Sequence, residues 1–503
     1  MFLLGIDIGT TRCKAVVFDP HGNIIGSNFK EYGIESDDSG KAEQDAELIW
    51  RITCSVIKGA IKNINKNDIG ALGLSVQGDA VIPIDKNFNA MHNAILGIDY
   101  RSKKNVELCE EIFGNRKLFN VTGMRPHPIN ALLKIMWLKK NIPNIYNKAW
   151  RIATYEDYIF GKFGVESIID YTMASRTMAF DLKKRTWSYK ILDKFDIRHD
   201  LFNQAKPSGT KISKIKKSIA DNLGLSRDTI LVTGGHDQTC AALGSGLIKE
   251  GTGLISTGTA EVLSTVLQKP ILNDTMYNNY YPCYLYIEEN MYFTFSLNHV
   301  GGLLLKWYKD NFENIKAFKQ DRSKKDVYGY LLSKVPDKPS RILFLPHLNG
   351  SGTPWCDFSS KGAIIGLNIS TTKYDILKAI LESLTYELKI NMEIMKSAGI
   401  IIKNLNAVGG GAKSPLWLQI KSDILNQPIN TLRIREAACL GAAILAGTAI
   451  GVYSNINEGV KMTVNVLETY YPDKIKNNIY HNIYMIYKDI YPSLKLINKR
   501  LSL

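Results

Sequence analysis

The sequence predicts a two-domain α/β protein whose halves face each other across a cleft, and three observations carry that reading. The 503 residues exceed what one hydrophobic core usually serves. Two apolar strand, Gly-Thr, strand segments, "FLLGIDIGTTRCKAVVF" and "GTGLISTGTAEVLSTVL", recur about half a chain apart, so that each half would lend one turn to a shared site. A third apolar strand runs into three glycines and then a helix start, in "NAVGGGAKSPLWLQIKSDILNQP".

From the N-terminus, the first segment reads as an apolar strand, a Gly-Thr turn, a second strand over Ala15 to Phe18, and a third after the turn at Asp19 to Gly22. In "ILVTGGHDQTCAALGSGL", residues 230 to 247, an apolar run breaks at Gly234 and Gly235 before presenting His236 and Asp237, and small residues then begin a tightly packed helix. A carboxylate at that place is either a helix cap or a catalytic base. The second hairpin has a strand ending at Ile255, a turn at Gly258 and Thr259, and a strand through Val262 and Leu263. A long helix follows, capped by Thr372 with Asp375 three residues on and stopped by Gly399; its Ile376, Ile380, Leu384 and Leu388 recur at helical spacing and belong to a core. Ser414 and Pro415 open the next helix. The segment at 436 to 447, "EAACLGAAILAG", is also helical, and its small residues suit close packing near the triple glycine.

The glycine turns have a specific chemistry. Glycine between strands lets backbone N–H groups approach a phosphate closely, and threonine hydroxyls add donors without charge. The competing reading of Thr10, Thr11 and Thr259 is ordinary turn chemistry. A glycine run ahead of a helix likewise lets a flat or anionic group lie on bare backbone near the helix's positive end. Neither a Walker pattern nor the dinucleotide G-x-G-x-x-G is present.

Composition narrows the classes. A hydrophobic share of 45% is that of a globular protein. The net charge of +15 is spread along the chain and forms no binding stripe, which argues against nucleic acid and fits a mild attraction for anionic substrates such as a nucleotide. Seven scattered cysteines without a C-x-x-C pair read as reduced thiols. The apolar start is interrupted by Asp7 before a signal-peptide core could form, and no stretch is long and apolar enough to span a membrane. The expectation is a cytoplasmic protein without a membrane partner.

The ordered motifs "GIDIGTT", "LGLSVQGDA", "GIDYRS", "GGHDQTCAALG", "STGTAEVL", "GSGTPWCD", "KGAIIGL" and "GGGAKSPLWLQIKSDIL" resemble the FGGY carbohydrate kinases, over residues 3 to about 450. The resemblance implies the actin-like, ribonuclease H-like fold, with an N-terminal domain over 1–246, a C-terminal domain over 247–503, and a helical tail from about 451. It implies ATP as co-substrate, Mg²⁺, and a small sugar or polyol as acceptor; dimers are common in the family, though the residues are silent on assembly.

Position by position, the resemblance makes Asp7 the aspartate that organises Mg²⁺, and Gly9, Thr10 and Thr11 the first phosphate turn. Gly258 and Thr259 form the second turn, Gly410, Gly411 and Ala412 the adenosine loop, and Lys14 a cation facing the phosphates. Asp237 becomes the catalytic base, with the helix N-terminus keeping it ionised. Gln77, Asp79 and Asp99 fall where the family holds sugar hydroxyls, the alternative for each carboxylate being a turn cap. His236 is either a donor to the sugar or a histidine satisfied by backbone. Trp355 lies either near the cleft or in interface packing.

Two departures bear on substrate. Gly78 and Asp79 stand where glycerol kinases have Arg-Glu, and Ile129 stands where they have an aromatic residue. Together these predict a longer pocket, for a ketopentose such as xylulose or ribulose or a four- to five-carbon polyol. The alternative function is a non-catalytic sensor or degenerate kinase of the same fold.

Overall fold

The structure, a computed structural model, describes residues 1–313, 326–433 and 436–502. Its first sheet is built from β1 (Phe2–Ile8), β2 (Arg12–Phe18), β3 (Ile24–Glu31), β4 (Ile69–Val76), β5 (Lys211–Lys214) and β6 (Ile230–His236), in the order β5-β6-β4-β1-β2-β3. The expected meander is the antiparallel run β1-β2-β3, while β4 lies parallel to both β1 and β6. A second sheet holds β7 (Thr252–Thr257), β8 (Glu261–Leu267), β9 (Tyr284–Leu285), β10 (Tyr292–Asn298), β11 (Asn404–Gly409), β12 (Ile429–Leu432) and β13 (Val466–Tyr470), in the order β9-β10-β8-β7-β11-β12-β13. Its hairpin β7-β8 repeats β1-β2 down to a parallel neighbour beside the first strand. Two sheets of like local topology, each covered by helices, are the mixed α/β architecture expected.

The strand β1 is buried on both faces because helices cover both. Leu4, Ile6 and Ile8 pack with Ile49, Ile52 and Val56 of helix α1 (Ala46–Ile61), while Leu3, Val16 and Phe18 pack with Leu440 and Ile444 of a helix from the far end of the chain, Ala437–Ala449. This placement corrects the expectation for residues 436–447: the helix lies on β1, β4 and the helix Asp237–Gly244, not beside the triple glycine. The reason is backbone contact. Gly5 and Gly73 stand side by side on β1 and β4, and a Cβ on them would come within 1.9 Å of the Cys439 carbonyl oxygen and 2.3 Å of the Ala442 carbonyl oxygen. Glycine in a strand here marks where another backbone sits directly on the sheet.

The long helix Lys373–Ser397 has the predicted capping box, Thr372 with Asp375. Its Ile380 and Leu384 are buried beside Trp417 and Ile424 of the helix Pro415–Leu425, and Leu388 belongs to the core under the sheets. The tail beyond residue 451 is not wholly helical: it supplies β13, the edge strand antiparallel to β12, before the helices Lys474–Tyr487 and Ile490–Leu501. Among the described residues no helix is long and apolar enough to cross a membrane, and all seven cysteines are free thiols.

Candidate active site

The ends of β1, β4 and β6 converge on one place. In register, Asp7 lies beside Ser75, and Ser75 Oγ donates to Asp7 Oδ1 at 2.7 Å. Burial, reinforced by Glu436, holds the Asp7 carboxyl up at about 6 despite that hydrogen bond. The turn after β1 is pinned through its carbonyls. Tyr32 Oη donates to the Gly9 oxygen at 2.6 Å, Gln77 Nε2 to the same oxygen at 3.3 Å, and Gln44 Nε2 to the Thr10 oxygen at 2.6 Å. Gln77 also donates to Gln44 Oε1 at 3.1 Å, so its amide nitrogen is engaged in supporting the Gly9–Thr10 turn. Thr11 is exposed at the same turn. Lys14 is tied to Glu436 at 2.6 Å and lies over the ring of Phe29.

Asp237 is the first residue of its helix, with His236 in the cap position, so it is not itself the cap. Its side chain remains 27% exposed while the His236 side chain is 6% exposed. Here the expectation of a carboxylate kept ionised by the helix terminus is corrected. Burial and the neighbouring Asp7 charge push Asp237 up to about 7, outweighing the backbone N–H of Gln238 and the Arg176 guanidinium. The His236 imidazole is held neutral by burial and by Arg176. Its Nδ1 lies 3.0 Å from Tyr284 Oη and its Nε2 3.2 Å from Asp237 Oδ1. With the Nε2–H tautomer assigned, Tyr284 donates to Nδ1, and Nε2 stands against Asp237 without a hydrogen bond to it, so that His236 packs beside the candidate base. Below this segment, Glu156 Oε1 accepts the Gly234 N–H at 3.0 Å and Thr172 Oγ1 accepts the His236 N–H at 2.8 Å.

Asp79 and Asp99 part company. Asp99 is enclosed by protein partners: the Ala42 N–H at 2.8 Å and Arg101 Nε within 3.1 Å of both its oxygens, with Arg101 also on Glu43 at 2.6 Å and stacked over Trp137. Asp79, at a positive φ of 65° after β4, pairs with Arg176 and receives Lys134 at its carbonyl oxygen at 3.1 Å. Lys134 also donates to the Ile129 carbonyl, and burial lowers it to about 8. The space left by Gly78 is not open, contrary to the pocket-length expectation. A Cβ there would stand 2.7 Å from the His236 ring and 3.2 Å from Arg176 Nε, so these side chains occupy the volume that a larger residue would fill. Over this cluster His127 meets Tyr100 edge-on at 5.9 Å, and Phe358, from the second half of the chain, approaches both rings and stacks on His299 at 5.7 Å. Trp355 is stacked instead on Tyr491 at 4.6 Å, which is packing within the second half.

The second turn faces a cleft of about 800 Å³ whose wall includes Gly258, Tyr328, Leu332, Gly410, Gly411 and Pro415. Thr259 is exposed beside Gly258, whereas Ala412 packs into the core rather than onto the cleft. The glycines bring β11 onto β7: a Cβ on Gly409 would be 2.5 Å from the Thr257 carbonyl oxygen, and one on Gly411 2.7 Å from the Thr257 side chain. Thr257 is itself held by a buried ion pair. Its hydroxyl donates to Glu261 at 2.8 Å and accepts from Lys421 at 2.9 Å, and Lys421 and Glu261 contact each other. Arg176, Tyr284, Phe358 and Lys421 were not singled out from the sequence. Only Arg176 carried a signal, as a lone charge in the small-residue run "MASRTMAF".

A glycine-lined cleft on one side and a closed cluster of Asp79, Arg176, His236 and Asp237 on the other define a two-part site for a polyphosphate and a polar small molecule. Residues 2–244 match the family model for the N-terminal domain of the FGGY family of carbohydrate kinases, and residues 253–450 match that for its C-terminal domain. The chain belongs to this family and is an ATP-dependent sugar kinase. It is similar to a xylulose kinase of Staphylococcus epidermidis, 29% identical over 497 residues that cover 98% of this chain and 97% of the relative. Among solved structures it is similar to a gluconate kinase from Lactobacillus acidophilus, with a TM-score of 0.88, 24% identity and 98% of each chain covered. A second such structure is a xyloylose kinase from Brucella ovis, with a TM-score of 0.89, 23% identity, and 99% of this chain and 100% of that one covered. The actin-like fold follows from these likenesses, and the non-catalytic alternative finds no support.

Proposed function

We propose that the protein transfers the γ-phosphoryl group of ATP to a terminal primary hydroxyl of a ketopentose of the xylulose type, with Asp237 as the general base. The observation that carries the reading is Asp237 itself, raised to about 7 at a helix start between the Asp7 side of the cleft and the Asp79–Arg176 pair. A base of that strength is matched to a neutral working pH. The substrate oxygen attacks the γ-phosphorus, the bond from that phosphorus to the β,γ-bridging oxygen breaks, ADP leaves, and the hydroxyl proton passes to Asp237. Because such a transition state is loose, alignment and charge compensation supply most of the catalysis.

Mg²⁺ fits the residues present. Asp7 is raised by burial and by Glu436, and Asp237 by burial and by Asp7, so a divalent cation near Asp7 would offset the negative charge gathered there. Among the described residues no group of three or more His, Cys, Asp or Glu could hold a metal, which suits an ion held by one carboxylate, water and phosphate oxygens. When bound, the ion supplies charge neutralisation on the phosphates. The ATP polyphosphate is assigned to the Gly9–Thr11 and Gly258–Thr259 turns, and its adenosine to the wall formed by Gly410, Gly411 and Pro415.

The substrate assignment draws on the xylulose kinase relatives and on the polar cluster at Asp79. A coupled ADP-release assay over glycerol, erythritol, xylulose, ribulose and gluconate should place kcat/KM for one ketopentose at least ~10²-fold above glycerol, since a missing hydroxyl leaves buried polar groups unpaired. Glycerol or gluconate as the best acceptor would overturn the assignment.

A further inference from the structure

The buried pair Arg176–Asp79 leaves one donor and one acceptor unused, and we infer that together they read the adjacent carbonyl and hydroxyl groups of a 2-ketose. The inference rests on the ketopentose reading above and gives it a specificity-determining residue, Arg176. The two side chains are only 4% and 3% exposed. Arg176 Nε and Nη2 both bond to the same carboxylate oxygen, Asp79 Oδ2. Arg176 Nη1 and Asp79 Oδ1 are buried without a hydrogen-bond partner. An unpaired buried polar atom is costly, and native interiors keep few of them.

The surroundings do not fill the gap. The guanidinium lies over the ring faces of Tyr284 at 5.2 Å and Phe295 at 5.9 Å, which hold it in place, and the Tyr284 hydroxyl, engaged with His236 Nδ1, makes no hydrogen bond to Nη1. Lys134 is turned onto the main-chain carbonyls of Asp79 and Ile129. His236 Nδ1 is committed to Tyr284, and its Nε2 lies against Asp237. The position is also right for a substrate: Arg176 and the Nε2 edge of the His236 ring crowd together over Gly78, and that same Nε2 lies 3.2 Å from the base Asp237. Both orphan atoms are closed off from solvent.

The chemistry of the two atoms selects the ligand. A guanidinium N–H can only donate and an ionised carboxylate oxygen can only accept. A carbonyl oxygen next to a hydroxyl satisfies both with nothing left over. In an alditol the oxygen facing Arg176 carries a proton of its own, which would be buried there without an acceptor. A sugar acid is disfavoured by charge: Arg176 is already neutralised by Asp79, and the carboxylates of Asp237 and Asp7 lie close by.

The test compares kcat/KM for xylulose and xylitol, and for ribulose and ribitol, in the wild-type protein and in Arg176→Lys. Lysine keeps the charge toward Asp79 but has no planar fork to present a second N–H. The wild-type protein should prefer the faster ketopentose over its alditol by at least ~10²-fold, and Arg176→Lys should shrink that preference at least ~10-fold by losing activity mainly on the ketose. Equal losses on ketose and alditol, as from a merely structural role, would overturn the inference, as would a wild-type protein that treats the two alike. Should Arg176→Lys fail to fold, the double variant Arg176→Gln/Asp79→Asn replaces the ion pair with neutral amides of similar shape; a ketose preference retained there overturns the inference too. Rapid ketopentose turnover with an unshifted preference removes Arg176 alone, whereas no ketopentose turnover by the wild type removes the substrate reading and this inference with it.

Discussion

Asp237→Asn is expected to lower kcat at least ~10²-fold while sugar affinity, measured by calorimetry, stays within about threefold. The amide keeps the shape of the carboxylate and its hydrogen-bonding reach but cannot take the hydroxyl proton, and general bases contribute on the order of 10²–10⁴. The raised carboxyl adds a pH signature. In the wild-type protein the base is active only when ionised, so kcat/KM should rise with pH through about 7 and level off above it, and the variant should lack that limb. Stability should move the other way. A carboxyl raised from 3.8 to about 7 by folding binds its proton more tightly in the native state, so ionisation works against the fold. That penalty is absent at low pH, grows between the two values and is complete above about 7. Asp237→Asn should therefore be more stable than the wild type at pH 8, by up to about 4 kcal/mol, and nearly indistinguishable from it at pH 4. A variant with full turnover, or one without the pH 8 gain, would contradict the assignment and the environment respectively.

Lys421→Met should be the most damaging substitution of a residue that touches no substrate. Glu261 is fully buried and Lys421 is its ionic partner, so removing the cation strands a charge in the interior, at a cost of about 3–5 kcal/mol. Because the same two side chains hold the Thr257 hydroxyl, and Thr257 lies in the wall of the nucleotide cleft, ATP affinity should fall as well. The double variant Lys421→Met/Glu261→Leu removes both charges and should recover most of the stability, leaving the loss of ATP affinity in place. Urea denaturation of the two variants measures this; a single variant within about 1 kcal/mol of wild type would mean that Glu261 is not stranded.

Much of the fold was legible because its signals are local. Alternation, glycine turns and caps place β1, β2, β7, β8 and the helices after Thr372 and Ser414, each within a few residues of where the structure has them. The helix at 437–449 shows where such reading stops. Its small residues announced close packing, but the surface they pack on is made by Gly5 and Gly73, more than 350 residues away in sequence, and nothing local points there. The site divides in the same way. Gly258, Gly410 and Asp237 are carried by turn and helix-start chemistry, and Asp7 by the family resemblance alone. Arg176 reaches Asp79 across 97 residues and Lys14 reaches Glu436 across 422, so these pairings arise only on folding. In sequence Gly78 reads as vacated space for a longer substrate, whereas the glycine is required by the His236 ring, which arrives from another strand. The ionisation of Asp237 is not legible in sequence, because the helix terminus is visible there and the burial and neighbouring Asp7 charge are not.

The most direct test of the account is the rate of ADP formation from MgATP at pH 8 with and without a ketopentose. A kinase with Asp237 poised against a bound sugar hydroxyl should form ADP at least ~10²-fold faster with xylulose or ribulose than with water as the only acceptor, and each ADP should be matched by one sugar phosphate. An equal rate with and without sugar, releasing inorganic phosphate in both cases, would contradict the account and leave an ATPase in its place.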